Sequence, residues 1–215
     1  MRPLRVAIFG LIVLGIVSVR ADTWPWPAVG AQARHSTGIV LLGPIDYNAK
    51  FESFPDSLRK AWNDAYTLAD EVYPDDFGRP WMDLTTDDVV VSAATANGVE
   101  IARQWVQSGL RVASPKPGGP FTIDLPRPDV AIRIRLVQHS ILAFERIMDG
   151  VTDLARAGVP GADRIYSLGP DPEHDRVIIL TDRLNDELLE AIATRFGTNV
   201  IAVRIDPRAT PMHLL

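Results

Sequence analysis

Residues 163–206 read DRIYSLGPDPEHDRVIILTDRLNDELLEAIATRFGTNVIAVRID, a strand, turn, strand, helix and strand in succession. Ile165-Tyr166 and Val177-Ile178-Ile179-Leu180 are β-favouring runs. The segment between them, Gly169-Pro170-Asp171-Pro172-Glu173-His174-Asp175, is dense in turn-forming residues, which predicts a hairpin with a loop of more than two residues. Asn185 is a good N-cap, and Asp186 and Glu187 place negative charge at the positive end of a helix dipole. Leu188, Leu189, Ile192 and Phe196 recur at helical spacing and Gly197 follows as a stop, so a helix is predicted over 186–196. Val200 to Ile205 then forms a strand that Pro207, having no N–H for a ladder, ends.

Working outward, Val137, Ile141, Phe144, Ile147, Val151 and Leu154 mark one face of a helix that Gly158 and Pro160 close. Before it, Val130, Ile132, Ile134 and Leu136 alternate with Ala131, Arg133 and Arg135 as in a half-exposed strand. The order β-α-β-β-α-β over 129–206 predicts a ferredoxin-like module, a four-stranded antiparallel sheet with helices on one face. The first half has the same order over 36–114. Its elements are a strand in Gly38–Gly43, a helix through Leu58, Trp62, Leu68 and Val72, a hairpin of Trp81-Met82 and Val89-Val90-Val91, a helix capped by Thr95, and a strand at Leu110–Val112. Proline and glycine crowd residues 115–128, which predicts a linker. The class expected is α+β, with two ferredoxin-like modules of about 85 residues. One continuous α+β domain is the alternative.

Residues 1–21 have the form of a secretory signal peptide, with Arg2 and Arg5 ahead of a 14-residue apolar run, Val6 to Val19, and small residues near the expected cut before Asp22. The run is shorter than the roughly 20 residues of a membrane-spanning helix. An uncleaved signal anchor is the alternative, since Arg20 is unusual beside a cleavage point. Removing three arginines and no acid takes the net charge from −5 to −8, which argues against nucleic acid and anionic lipid as partners. With no Cys there are neither disulfides nor thiolate metal sites. Residues 22–35, with Trp24-Pro25-Trp26-Pro27, are expected as a flexible tether, the two tryptophans being an alternative ligand-stacking or membrane-interface anchor. Residues 207–215 are expected as a tail.

No catalytic, cofactor-binding or metal set is expected. There is no Gly-x-Ser-x-Gly elbow, no His-Glu-x-x-His and no glycine-rich phosphate loop. His139 and Ser140 fall at the start of a helix with no acid near them in sequence, and are expected there as helix-start residues. His35 and His213 fall in termini expected to be mobile. Asp171, Glu173, Asp175 and Asp182 have the alternating spacing of a calcium loop, but Arg176 stands where such a loop needs glycine, so an acidic, solvated turn is expected.

The run Asp171 to Ile179, followed by a helix and by Arg195-Phe196-Gly197-Thr198-Asn199-Val200-Ile201-Ala202-Val203, resembles the compact α/β modules in pro-regions of secreted bacterial serine proteases of the α-lytic protease and streptogrisin type, and related modules of secreted actinobacterial proteins. The resemblance covers about Gly161 to Asp206 and implies a foldase or inhibitor that lays a strand edge against a protease. In those proteins a protease domain follows the module; here Asp206 to Leu215 follow. The function expected is a secreted, non-enzymatic protein-binding module acting through a sheet edge or face, with a protease as one class of partner. The alternative is a hydrolase whose carboxylates, such as Asp83 and Asp171, come from two facing hairpins. Because Val89–Val91, Val177–Leu180 and Val200–Val203 are continuous apolar runs, both faces of these strands need cover, and Val90, Ile178 and Ile201 are all expected to be buried.

Overall fold

The structure, a computed structural model, describes residues 31–44, 54–83, 85–113 and 122–209. Its elements in chain order are β1 (Gln32–Arg34), β2 (Val40–Leu42), α1 (Asp56–Tyr66), β3 (Trp81–Asp83), β4 (Asp88–Ala93), α2 (Ala96–Ser108), β5 (Leu110–Ala113), β6 (Thr122–Leu125), β7 (Ile132–Leu136), α3 (Ile141–Arg156), β8 (Ile165–Asp171), β9 (Arg176–Thr181), α4 (Asp186–Phe196) and β10 (Ile201–Ile205). A π-helical turn, Thr67–Val72, prolongs α1. The class is α+β. Local chemistry sets the helix starts: the Asn185 side chain accepts the Leu188 N–H at 2.8 Å, Thr95 accepts that of Gly98 at 3.0 Å, and Ser140 accepts that of Ala143 at 3.2 Å.

The strands make a five-stranded sheet ordered β1-β2-β10-β9-β8, a three-stranded sheet ordered β3-β4-β7, and the ribbon β5-β6. This differs from two ferredoxin-like sheets, one per half. β7, from the second half, runs parallel to β4 with Val89 opposite Ile132 and Ala93 opposite Leu136. β2, from the first half, runs parallel to β10 with Val40 opposite Ala202. A strand has two edges only. β9 already holds β8 across the hairpin and β10 across the α4 crossover, so β7 has no place on β9, and α2 supplies the long crossover that a parallel β4–β7 pair needs.

The two larger sheets nevertheless share one unit, an antiparallel hairpin, a helix and a parallel third strand, with the β5-β6 ribbon inserted between helix and third strand in the first of them. In the first the Val89 N–H donates to the Ala131 carbonyl and the Val137 N–H to Ala93; in the second Val177 donates to Val200 and Asp206 to Thr181. Both hairpins turn through a four-residue loop that ends on a positive-φ aspartate, Asp87 at 55° and Asp175 at 52°. Both helices end on a positive-φ glycine, Gly109 at 75° and Gly197 at 83°, a backbone that residues with a Cβ avoid.

The cores follow the sheets and not the sequence halves. Ile39 and Leu41 join residues from α3, β9, α4 and β10, whereas Ile141 of α3 joins Trp105, Phe77 and Val91 in the other core. Val90 and Ile201 are buried as expected, but Ile178 is only half-buried. It lies on the face of the five-stranded sheet that carries Val40, Leu42 and Leu180, away from α3 and α4.

Two boundary expectations are corrected. Residues 32–34, placed in the tether, form β1 against β2, because Gly38 with φ of 90° closes a turn that donates to the His35 carbonyl. Residues 122–125, placed in the linker, form β6 against β5, with Leu125 buried and the Trp105 Nε1–H donating to the Pro126 carbonyl at 3.0 Å. At the start of the tail, the Arg208 guanidinium binds the buried Asp206 carboxylate at 2.9 Å. The signal segment 1–21, residues 22–30 of the tether, residues 115–121 of the linker and residues 210–215 of the tail, with His213, lie outside the described residues.

Candidate functional site

Parallel pairing with β4 uses the odd-numbered residues of β7: Ala131 accepts from Val89, and Val137 donates to Ala93. Alternate residues of a strand point their N–H and C=O groups in opposite directions, so Ile132, Ile134 and Leu136 direct theirs away from β4. β7 ends its sheet, and no described strand pairs with it on that side. The matching positions of β10 are Ile201, Val203 and Ile205, which turn toward β2. The contrast is sharpest at the last position, where Ile205 is 0% exposed and Leu136 is 71% exposed.

Side chains alternate faces independently of this. Ile132 and Ile134 lean on the α1/α2 core, while Arg133 and Arg135 project from the opposite face beside Val90 and Trp81. The Arg135 guanidinium stacks 5.8 Å from the Trp81 ring centroid, and its Nη1 donates to the Glu173 carbonyl at 2.6 Å. Arg133 binds Asp83 directly, with Nε 4.0 Å from Asp88. The Thr85 hydroxyl at 2.6 Å, then Arg133, then the Thr85 N–H hold the Asp83 carboxyl well below the usual carboxylate range. Among the described residues, the buried Trp81 Nε1–H has no hydrogen-bond partner.

These groups line a cleft of about 580 Å³ that runs along the open edge, with Trp81, Val90, Arg133 and Arg135 as floor, Ile134 and Leu136 on the edge, and Glu173 and His174 as the far wall. A neighbouring cleft of about 370 Å³ lies between the two hairpin tips. Asp83 and Asp171 both line it, so the structure does bring the two hairpin carboxylates to one cavity. Each is already committed. Asp171 accepts from Arg176 Nε at 2.9 Å and lies 3.0 Å from His174 Nδ1, and Asp83 accepts from Thr85 and Arg133.

The calcium-like residues are dispersed. Asp175 accepts the Gln138 N–H at 2.6 Å, and Asp182 binds Arg164 at 2.7 Å, which is the main cause of its lowered pKa. Among the described residues no three acids, histidines or cysteines are placed to share a metal ion. Ser140 is spent as the α3 cap. His139 has an acid that its sequence neighbourhood did not reveal, Asp175 at 3.2 Å, because the β8–β9 hairpin tip folds onto the segment after β7. His35, expected in a mobile terminus, is largely enclosed between Thr37 at 3.1 Å and Asp186 at 3.3 Å. The alternation of arginine with isoleucine marked β7 as half-exposed; its position on an open edge had no local signal. Trp81 reads as a strand residue, and nothing in its neighbours announces a cleft.

No helix among the described residues is long and apolar enough to cross a membrane. Among known proteins, no family model matches the chain, and no curated protein matches it at a significant level.

Proposed function

We propose that the protein is a secreted, non-enzymatic binding module, built on a duplicated hairpin-helix-strand unit, that captures an extended segment of a partner protein on the open edge of β7. One observation carries this: the same strand position that β2 seals on β10 is met by no described strand on β7, with Leu136 exposed where Ile205 is enclosed. Strand addition needs main-chain donors and acceptors in a row and pockets for alternate side chains. Ile132, Ile134 and Leu136 supply the first, and the cleft over Trp81 the second. A duplication explains why the hydrogen bonds of the two units coincide, and a secreted protease is one class of partner that the pro-region resemblance suggests.

The export part is checked by mass spectrometry of secreted protein, which should give an N-terminus at or near Asp22; a membrane-bound product beginning at Met1 would count against it. For the edge itself, Leu136→Pro removes an outward N–H without touching the β4 ladder, and Leu136→Ala controls for the lost side chain. Panning a library of displayed linear peptides should yield binders retained by Leu136→Ala and lost by at least tenfold with Leu136→Pro. Binders indifferent to the proline would place the interaction elsewhere.

A further inference from the structure

The open edge has a chemical bias that its surroundings set. A second copy is the simplest occupant of an open edge, by antiparallel pairing of β7 with β7. Centred on Ile134, that pairing would set Arg133 opposite Arg135 twice, and like charges directly opposite destabilise a strand pair. The two arginines are not equivalent. Asp83 and Asp88 answer the charge of Arg133, whereas Arg135 meets only a carbonyl and the Trp81 ring, with no carboxylate against it among the described residues. Its guanidinium is held in place on two sides, with further N–H groups left for an acceptor in the cleft. On the other face of an added strand the neighbours are Ile132, Ile134 and the uncovered Leu136.

Resting on the edge-binding reading, we infer that the occupant is an extended peptide segment with apolar residues on the side of Leu136 and a single acidic side chain over Arg135. The negative charges nearby limit it to one: Asp171 is balanced by Arg176, but Asp83 and Asp88 share Arg133 and Glu173 lies in the same cleft, so a run of acids would meet them.

The test uses the full mature chain and three dye-labelled peptides. The first is Thr-Val-Thr-Val-Glu-Val-Thr, the second has Lys for Glu, and the third is the first with alternate backbone nitrogens methylated on its β7-facing side. Fluorescence anisotropy should show the glutamate peptide bound about tenfold or more tightly than the lysine peptide, and the methylated peptide not bound. Amide exchange followed by NMR should show Ile134 and Leu136 protected only when the peptide is present. Arg135→Gln should erase the preference for glutamate, and Arg135→Lys should retain most of it. Equal binding of the glutamate and lysine peptides, both lost on methylation, overturns the acidic assignment and leaves the edge reading standing. Binding insensitive to methylation, no binding by any peptide, or no protection of Ile134 and Leu136 overturns both. Concentration-dependent dimerisation that protects those two amides in the absence of peptide identifies a second copy as the occupant and overturns the inference.

Discussion

A fragment of residues 127–215 made alone is expected to show no cooperative unfolding transition, although it contains every element of the second half. Three strands sit in the other half's sheet: β1 and β2 beside β10, and β7 beside β4. Without β4, β7 has no partner along Ile132–Leu136; without β2, the main chain of Ile201, Val203 and Ile205 loses its ladder. Ile39 and Leu41, both fully buried, also leave the fragment's core. At roughly 1.5–3 kcal/mol for each such side chain, that loss alone approaches the net stability of a small domain. Circular dichroism against urea should give a flat or featureless curve for the fragment and a single transition for the mature chain. Adding the complementary fragment 31–126 should restore the transition. A 127–215 fragment that is monomeric and as resistant to urea as the mature chain would show the crossed strands to be dispensable.

The second large effect is expected at Trp105. Its side chain is fully buried where α2 meets β4 and the β5-β6 ribbon, and its Nε1–H satisfies the Pro126 carbonyl. Trp105→Ala removes the largest buried side chain of that core and leaves a cavity, a change that costs about 3–5 kcal/mol. For a chain of this size the midpoint of thermal unfolding should fall by roughly 10 °C. Trp105→Phe keeps most of the packing and loses the hydrogen bond, so it should cost about 1–2 kcal/mol. A loss below about 1 kcal/mol for the alanine variant would mean that the site collapses on the cavity and that the ribbon is not held by this residue.

What could be read from the sequence is what adjacent residues decide among themselves. Asn185, Asp186 and Gly197 bound α4 at Asp186–Phe196, as predicted, because capping and positive φ are settled within a few positions. The Thr95 cap and both hairpins were legible for the same reason. Strand partnership was not. Ile132–Leu136 reads the same whether its neighbour is β4 or β9, and Val40–Leu42 says nothing of β10. Proline density hid β6, although Thr122, Ile123, Asp124 and Leu125 alternate as a strand should. The candidate site is made of such distant pairings: Arg135 with Glu173, Arg133 with Asp83, and His139 with Asp175.

The β2–β10 pairing also sets a timetable. Val40 and Ala202 face each other across about 160 residues, so the five-stranded sheet receives β2 about 160 residues of synthesis before the strand that adjoins it. Contacts that remote slow folding, because the loop between them must close before the contact repays the closure. Until Ile205 has emerged, β2 waits with its apolar residues uncovered and the edge opposite β1 unpaired, and β7 can pair with β4 well before the sheet beyond it exists. The nascent chain therefore completes its first sheet long before its second, and the interval between them is when β2 is most exposed to the wrong partner.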